Sequence, residues 1–86
     1  MKKIRSSSRF RRSYKKLSEP VQKNVNKKIE ILAQDVFDPS LKTHKLKGRL
    51  YPCHSFSVTK DLRVIFRITE NGEIQLADIG THDEVY

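Results

Sequence analysis

Two side chains in the last nine residues of the sequence could take part in chemistry. His82 and Tyr86 lie four residues apart in the stretch 78–86, which reads Asp-Ile-Gly-Thr-His-Asp-Glu-Val-Tyr. A histidine can donate or accept a proton near neutral pH, and a tyrosine supplies a stackable ring with a hydroxyl group. Such a stretch either lies across a sheet as part of a site or is a frayed polar tail, which is the commoner structure at a chain end.

A strand arginine could bind a phosphate group beside that histidine. Arg63 is flanked by Leu62 and Val64, so its guanidinium projects from the opposite face of the predicted sheet. Arg67 shares that face. A guanidinium binds phosphate oxygens through two parallel hydrogen bonds. The combination of Arg63 and His82 therefore indicates a phosphodiester site, whereas an isolated arginine would be a solvated residue on an exposed face.

Two further residues could supply a second proton-transfer group. His44 lies in the lysine-rich connection 41–48, Leu-Lys-Thr-His-Lys-Leu-Lys-Gly, and connections often carry function. Asp61 lies in a predicted hairpin turn, where aspartate is common for its turn chemistry alone. Turn chemistry is the simpler explanation for Asp61. For His44, proton transfer and an ordinary loop position both remain open.

The other histidine and the cysteine do not indicate a metal site. His54 alternates with Phe56 and Val58, so it should point toward the helices or their rim as a packed residue. The three histidines lack the close spacing of metal ligands, and Cys53 is the only cysteine. We therefore expect no metal and no cofactor. A single cysteine also excludes an internal disulfide and favours a reducing, intracellular setting.

Two amphipathic helices are predicted to position these residues. Serines 6–8 could cap a first helix at 9–17, in which the apolar residues Phe10, Tyr14 and Leu17 recur at helical spacing among basic residues. Ser18-Glu19-Pro20 begins a second helix. Its apolar stripe recurs in steps of three or four and comprises Val21, Val25, Ile29, Leu32 and Val36. The helices should form a hairpin, and residues 2–5 could form a short edge strand before it.

Alternating apolar residues from Leu50 onward predict a β-meander. Three-residue turns at 59–61 and 70–72 would keep the apolar sets of neighbouring strands on one face. This arrangement pairs Ile68 with Ile74 and places Gly72 in the left-handed conformation. The alternation fails at 77–79, which indicates a bulge or a strand end.

This register predicts the fold and an open surface on it. Ser57, Arg63 and Arg67 should share a basic, polar face that no helix covers. The sequence thus predicts an α+β fold in which an N-terminal helical hairpin packs on one face of an antiparallel sheet, in the order short β1, α1, α2 and then the meander.

The composition limits the size of the protein and the class of its partners. The 86 residues, 36% of them hydrophobic, predict a single domain over 1–86 with a modest core. Lysine and arginine exceed aspartate and glutamate by 18 to 10, so the net charge is +8 and the partners should be anionic. No apolar run is long enough for a signal peptide or a membrane span, so we expect a soluble cytoplasmic protein.

Four stretches in a fixed order resemble a known family. They are 41–48, Ser55-Phe56-Ser57-Val58, 61–66 (Asp-Leu-Arg-Val-Ile-Phe) and 80–86 (Gly-Thr-His-Asp-Glu-Val-Tyr). Together they resemble toxins of the RelE/ParE superfamily, in particular its YafQ-like branch, over nearly the whole chain. The resemblance implies the toxin of a type II toxin-antitoxin pair, a ribosome-dependent endoribonuclease that cuts mRNA. The implied partners are a cognate acidic antitoxin, the ribosome and mRNA, with no membrane and no metal.

The resemblance also implies roles for individual residues. His82 matches the catalytic histidine, Arg63 the phosphate-binding arginine, His44 the loop histidine, Asp61 the acidic site residue and Tyr86 the terminal aromatic. Ser57 stands where relatives carry a histidine or an arginine, which argues against a second base there. The basic residues expected to bind RNA are Lys42, Lys45, Lys47, Arg49 and Arg67.

The implied chemistry suits these side chains. RNA carries its own nucleophile in the 2′-hydroxyl, so an enzyme need only orient it, remove its proton, stabilise the phosphate and protonate the departing 5′ oxygen. The expected products are a 2′,3′-cyclic phosphate and a 5′-hydroxyl. Two alternatives remain: a ParE-like toxin that inhibits DNA gyrase without catalysis, and a basic RNA-binding module.

Overall fold

A computed structural model describes residues 2–86, so Met1 of the predicted domain 1–86 lies outside the described residues. Five strands form one sheet in the spatial order β1-β5-β4-β3-β2. The elements are β1 Ile4–Ser6, α1 Ser8–Lys15, α2 Glu19–Gln34, β2 His44–Lys45, β3 His54–Ser57, β4 Leu62–Ile68, β5 Ile74–Thr81 and α3 His82–Val85. Short 3-10 turns lie at Pro39–Leu41 and Gly48–Leu50.

The two predicted helices are present, and both end earlier than their apolar patterns suggest. Ser7 caps α1 because its Oγ accepts a hydrogen bond from the Phe10 main-chain nitrogen at 3.0 Å. The second helix stops at Gln34 because Asp35 adopts an extended backbone with φ −154° and ψ 105°. Val36 is therefore outside the helix, although it remains buried in the core.

The predicted meander register is confirmed. Ile68 pairs with Ile74 and Phe66 with Leu76, and Gly72 has a φ of +79° in the intervening turn. Ile65 then pairs with Asp78 rather than with residue 77. Ala77 is thus the extra residue of a bulge, at the position where the alternation fails.

The sheet is mixed, which corrects the prediction of a wholly antiparallel sheet. β1 runs parallel to β5, with Ile4 opposite Ile74, while the other neighbours are antiparallel. A three-residue strand with one apolar side chain carries no pattern that reveals its direction. The connection 41–48 also contains a short strand, β2, which places His44 opposite Ser55.

The hydrophobic core lies between the helices and what we call the first face of the sheet. Val25 and Leu32 of α2 and Phe10 of α1 are buried there with the inward side chains of the strands, among them Phe56, Val64, Phe66, Ile74, Leu76 and Ile79. His54 packs at the rim of this core, with its ring 5.5 Å from that of Phe66 and 6.1 Å from that of Phe37, as predicted. Within residues 2–86, no helix has the length and apolar character to cross a membrane.

The opposite side, the second face, is only partly open, which corrects the expectation of an uncovered surface. Ser55 and Ile65 point to this face and are 0% and 3% exposed. The chain after β5 folds back as α3, and Val85 is buried against the sheet. Gly80 permits this approach, because a Cβ at position 80 would lie 3.1 Å from the Cγ1 of Val85.

Candidate active site

A cleft beside the turn between β3 and β4 brings together two of the predicted site residues. His44 on β2 and Arg63 on β4 both line it, with Ser57 of β3 between them. The cleft has a volume of about 420 Å³. Its other lining residues are Lys28, Ser40, Lys42, Val58, Thr59 and Lys60.

The Arg63 guanidinium is held in place by a strand neighbour. Ser57 lies directly opposite Arg63, and its Oγ accepts a hydrogen bond from Arg63 Nη1 at 2.6 Å. The Arg63 Nε is buried and has no hydrogen-bond partner among residues 2–86. The hydrogen bond to Ser57 therefore orients the guanidinium.

The cleft is suited to an anion by its charge. Lys28, Lys42 and Lys60 line it together with Arg63, and the lining residues include no carboxylate. Lys42 is held by the backbone in the left-handed region, with a φ of +52°, a conformation that costs a residue with a Cβ about 1–2 kcal/mol. Several cations around one concave site create a positive potential that favours phosphate groups.

His82 and Tyr86 lie at the two ends of α3. Thr81 caps this helix, and its main-chain nitrogen donates to Glu84 Oε1 at 2.8 Å. Hydrogen bonds from the Thr81 main chain and side chain hold the pKa of Glu84 below its usual value. The His82 imidazole is 64% exposed, and its ring centroid lies 4.4 Å from that of Tyr86 in an edge-to-face arrangement.

Tyr86 links α3 to the strand that also supports the cleft. Its Oη donates to the Oγ of Ser55 at 2.5 Å, and its main-chain oxygen accepts from Arg49 Nη2 at 2.7 Å. Ser55 and Ser57 lie two residues apart on the same face of β3, a spacing of roughly 7 Å. Both α3, which carries His82, and the cleft that contains Arg63 are therefore connected to β3, at positions two residues apart.

The structure leaves three predicted residues outside the cleft lining. Asp61 is exposed in the turn between β3 and β4, and His82 and Tyr86 do not line the cleft. Tyr86 instead borders a second cavity of about 780 Å³, and Ile65 and Ala77 also line that cavity.

The five basic residues expected to bind RNA are dispersed. Lys42 lines the cleft, whereas Lys45 is opposite His54 and places its ammonium 5.4 Å from the ring of Tyr51. Lys47 is exposed in the loop before the 3-10 turn Gly48–Leu50. Arg67 is exposed four residues along β4 from Arg63, roughly 13 Å away. Arg49 contacts the main chain of Tyr86.

The sequence interpretation missed two serines that organise the site. Ser57 orients Arg63, and Ser55 anchors Tyr86. Both are small polar residues at alternating positions of one strand, on the face that also carries Arg63. That pattern was a usable signal, because a strand position beside a functional arginine can supply its hydrogen-bond acceptor.

The described part of the chain contains no cluster of three or more histidine, cysteine, aspartate or glutamate side chains that could hold a metal ion.

Comparison with known proteins gives a family match and a set of similar folds. Residues 2–86 match the family model described as a bacterial toxin of type II toxin-antitoxin systems, YafQ. No curated protein gives a significant match to the sequence.

Solved toxin structures share the fold at low sequence identity. YafQ from Escherichia coli BL21(DE3) has a TM-score of 0.83 at 16% identity, with 100% of this chain and 99% of that chain covered. The YoeB/ParE toxin from Agrobacterium tumefaciens has a TM-score of 0.81 at 17% identity, covering 93% and 98%. The toxin of the E. coli DinJ-YafQ toxin-antitoxin complex has a TM-score of 0.80 at 17% identity, covering 99% and 97%. Identities this low establish similarity of fold alone.

Proposed function

Because the chain belongs to the YafQ family of type II toxin-antitoxin toxins, within the RelE/ParE superfamily, we propose that it is a ribosome-dependent endoribonuclease that cleaves mRNA. The observation that carries this proposal is the cleft that contains His44 and the oriented Arg63 guanidinium among lysines, with no carboxylate. Such a site suits an RNA phosphate and a proton-transfer group beside it.

The proposed reaction is an internal displacement at one phosphodiester. The 2′ oxygen attacks the phosphorus and loses its proton to a base, while the bond to the 5′ oxygen breaks and that oxygen receives a proton from an acid. Charge on the phosphate is stabilised by Arg63. The products are a 2′,3′-cyclic phosphate and a 5′-hydroxyl, and the proposed chemistry requires no metal.

We assign the two proton transfers to His82 and His44. His44 is favoured over Asp61 as the partner of His82, because His44 lines the cleft with Arg63 whereas Asp61 does not. Tyr86 would orient His82 and stack on a base of the RNA.

The proposed partners follow from charge and from the family. A relative, YafQ of E. coli, is bound to DinJ in a toxin-antitoxin complex. With a net charge of +8, this chain would bind a cognate acidic antitoxin and, when released from it, the ribosome and mRNA. We propose that it acts in the cytoplasm as one toxin domain over residues 1–86. The contact with RNA would include Lys42, Lys45, Lys47 and Arg67.

Primer extension on mRNA bound to translating ribosomes tests the proposal. The wild-type protein should create new 5′ ends that a kinase can phosphorylate directly, and His82→Ala should lower the cleavage rate at least ~100-fold. Arg12→Met is the control, because Arg12 is exposed on α1 and outside the site. In a further experiment, EDTA is added first to chelate other metals, and excess Mg²⁺ is then added to keep the ribosomes intact. Cleavage should persist under these conditions.

Three outcomes would contradict the proposal. New ends that carry a 5′-phosphate would exclude attack by the 2′-hydroxyl. Toxicity that survives His82→Ala, together with inhibition of DNA gyrase, would identify a ParE-like inhibitor. Ribosome binding with no new ends would identify an RNA-binding module.

A further inference from the structure

The Tyr86 side chain and main chain are held at three points. Its Oη is bonded to Ser55 Oγ, its carbonyl oxygen accepts from Arg49 Nη2, and its main-chain nitrogen donates to the His82 carbonyl oxygen at 2.9 Å. Ser55 is completely buried and lies in the middle of the second face, between His44 on β2 and Ile65 on β4. A rotation or displacement of Tyr86 would therefore break at least one of these hydrogen bonds.

The His82 imidazole, by contrast, has few contacts other than the Tyr86 ring that could fix its position. Its side chain is 64% exposed, and its Nδ1 lies 3.6 Å from Oδ1 of Asp83, which is itself fully exposed. Among residues 2–86, the aromatic ring found against the imidazole is that of Tyr86. An exposed histidine samples several rotamers, so the position of this imidazole depends on the tyrosine beside it.

We propose that Arg49 and Ser55 are positioning residues for His82, and that they act through the two ends of Tyr86. The inference rests on the proposed ribonuclease function, in which His82 transfers a proton. In the described part of the chain, both residues are hydrogen-bonded to Tyr86 and not to the imidazole. Each holds the ring that lies against the imidazole, and a displacement of a catalytic group by about 1 Å can lower a rate about 100-fold.

This assignment changes the role expected for Arg49. The sequence pattern groups it with the basic residues that bind RNA, and an RNA-binding arginine would affect mainly the affinity for the ribosome. A positioning arginine affects the chemical step instead. The two roles are therefore separated by measuring the KM for programmed ribosomes and the single-turnover rate at saturation.

Three substitutions and one control test the proposal. Arg49→Met removes the bond to the main chain of Tyr86, Ser55→Ala removes the acceptor of its hydroxyl, and Tyr86→Phe removes the hydroxyl but keeps the ring. Arg12→Met is the control, since it removes an exposed arginine from α1 and alters the net charge as Arg49→Met does. Circular dichroism and urea unfolding establish that each variant is folded.

The cleavage experiment has a defined outcome for each variant. Arg49→Met and Ser55→Ala should each lower the saturating single-turnover rate roughly 10-fold, with KM changed less than about twofold. The double variant Ser55→Ala/Tyr86→Phe should be no slower than Tyr86→Phe alone, because Ser55 acts through the hydroxyl already removed. A rise in KM without a change in the rate would overturn the positioning role of Arg49.

An NMR measurement tests the same inference without catalysis. The Tyr86 ring current should displace the imidazole proton resonances of His82 in the wild type, and Arg49→Met and Ser55→Ala should shift them toward those of an unstructured histidine. Arg12→Met should leave them unchanged. Unchanged His82 resonances in both test variants would overturn the inference even if the protein cleaves mRNA. If the wild-type protein did not cleave mRNA, the proposed function would be overturned. The His82 resonances would still decide whether Arg49 and Ser55 fix the position of the imidazole.

Discussion

Replacing Gly80 by alanine should slow cleavage with little effect on stability. The new Cβ would lie 3.1 Å from Cβ of Glu84 and from Cγ1 of Val85. Contacting carbon atoms prefer a separation of at least roughly 3.5 Å, so α3 must move away from β5 by ~0.4 Å. If a displacement of about 1 Å costs about 100-fold in rate, one of ~0.4 Å costs about sixfold.

The stability of this variant should change little because two effects oppose each other. Crowding a packed site costs about 1–3 kcal/mol, at its lower end here because a four-residue helix can shift. Alanine is about 0.5–1 kcal/mol better than glycine inside a strand. The free energy of unfolding should therefore fall by no more than ~1 kcal/mol.

Gly72 provides the matched control, because the same substitution there should do the opposite. No atom lies within 4 Å of a Cβ at position 72, but the residue has a φ of +79°. Gly72→Ala should cost about 1–2 kcal/mol of stability through backbone strain. The turn that contains Gly72 connects the ends of β4 and β5 remote from α3, so cleavage should be unaffected where the protein is folded.

The assay pairs single-turnover cleavage on programmed ribosomes with urea unfolding of the three proteins. The expected result is a crossed pattern, in which Gly80→Ala loses rate and Gly72→Ala loses stability. A rate for Gly80→Ala within about 1.5-fold of the wild type would refute the claim that the placement of α3 controls the reaction. An equal loss of rate in both variants would refute it too, since a general destabilisation would then explain the effect.

Two further predictions concern single side chains. Ser57→Ala removes the acceptor of the hydrogen bond from Arg63 Nη1. It should lower the cleavage rate roughly 10-fold and the free energy of unfolding, measured in urea, by about 1 kcal/mol. An unchanged rate would show that Arg63 does not need this hydrogen bond for its function. Burial, and then the charge of Lys45, lowers the pKa of His54 below its ordinary value of 6.5. Because His54 therefore binds a proton more readily in the unfolded chain than in the folded protein, the free energy of unfolding should decrease as the pH falls from about 6.5 through the folded-state pKa. His54→Phe should flatten the dependence of the urea midpoint on pH in that window, and an undiminished slope would assign the effect to other groups.

The meander was predictable from the sequence because its constraints are local. Alternation with period two assigns Phe66 and Leu76 to the core, and a glycine at position 72 permits the left-handed turn that sets the register. The face of Arg63 follows directly from this register. The helices followed from their apolar spacing, although their ends did not. The apolar stripe continues to Val36, which is buried, whereas α2 ends before Asp35, whose carboxylate accepts a hydrogen bond from the Phe37 main-chain nitrogen at 3.1 Å.

The parts that the sequence did not predict depend on contacts between distant residues. The direction of β1 is set by its pairing with β5, and nothing in a three-residue strand encodes it. The four residues of α3 are too few for a periodic pattern, and they form a helix where Val85 finds cover against the sheet. The role of Ser55 likewise exists only once Tyr86 reaches it across 31 positions of sequence.

The parallel pairing of Ile4 with Ile74 has a consequence during synthesis of the protein. β5 lies between β1 and β4, so a nascent chain that has not yet released residues 74–81 has no partner for its first strand and no way to close the sheet. His82 and Tyr86 come immediately afterwards in translation. The sheet can therefore close only after β5 has been synthesised, and α3, which begins with the proposed catalytic residue His82, can pack on the sheet only after that step.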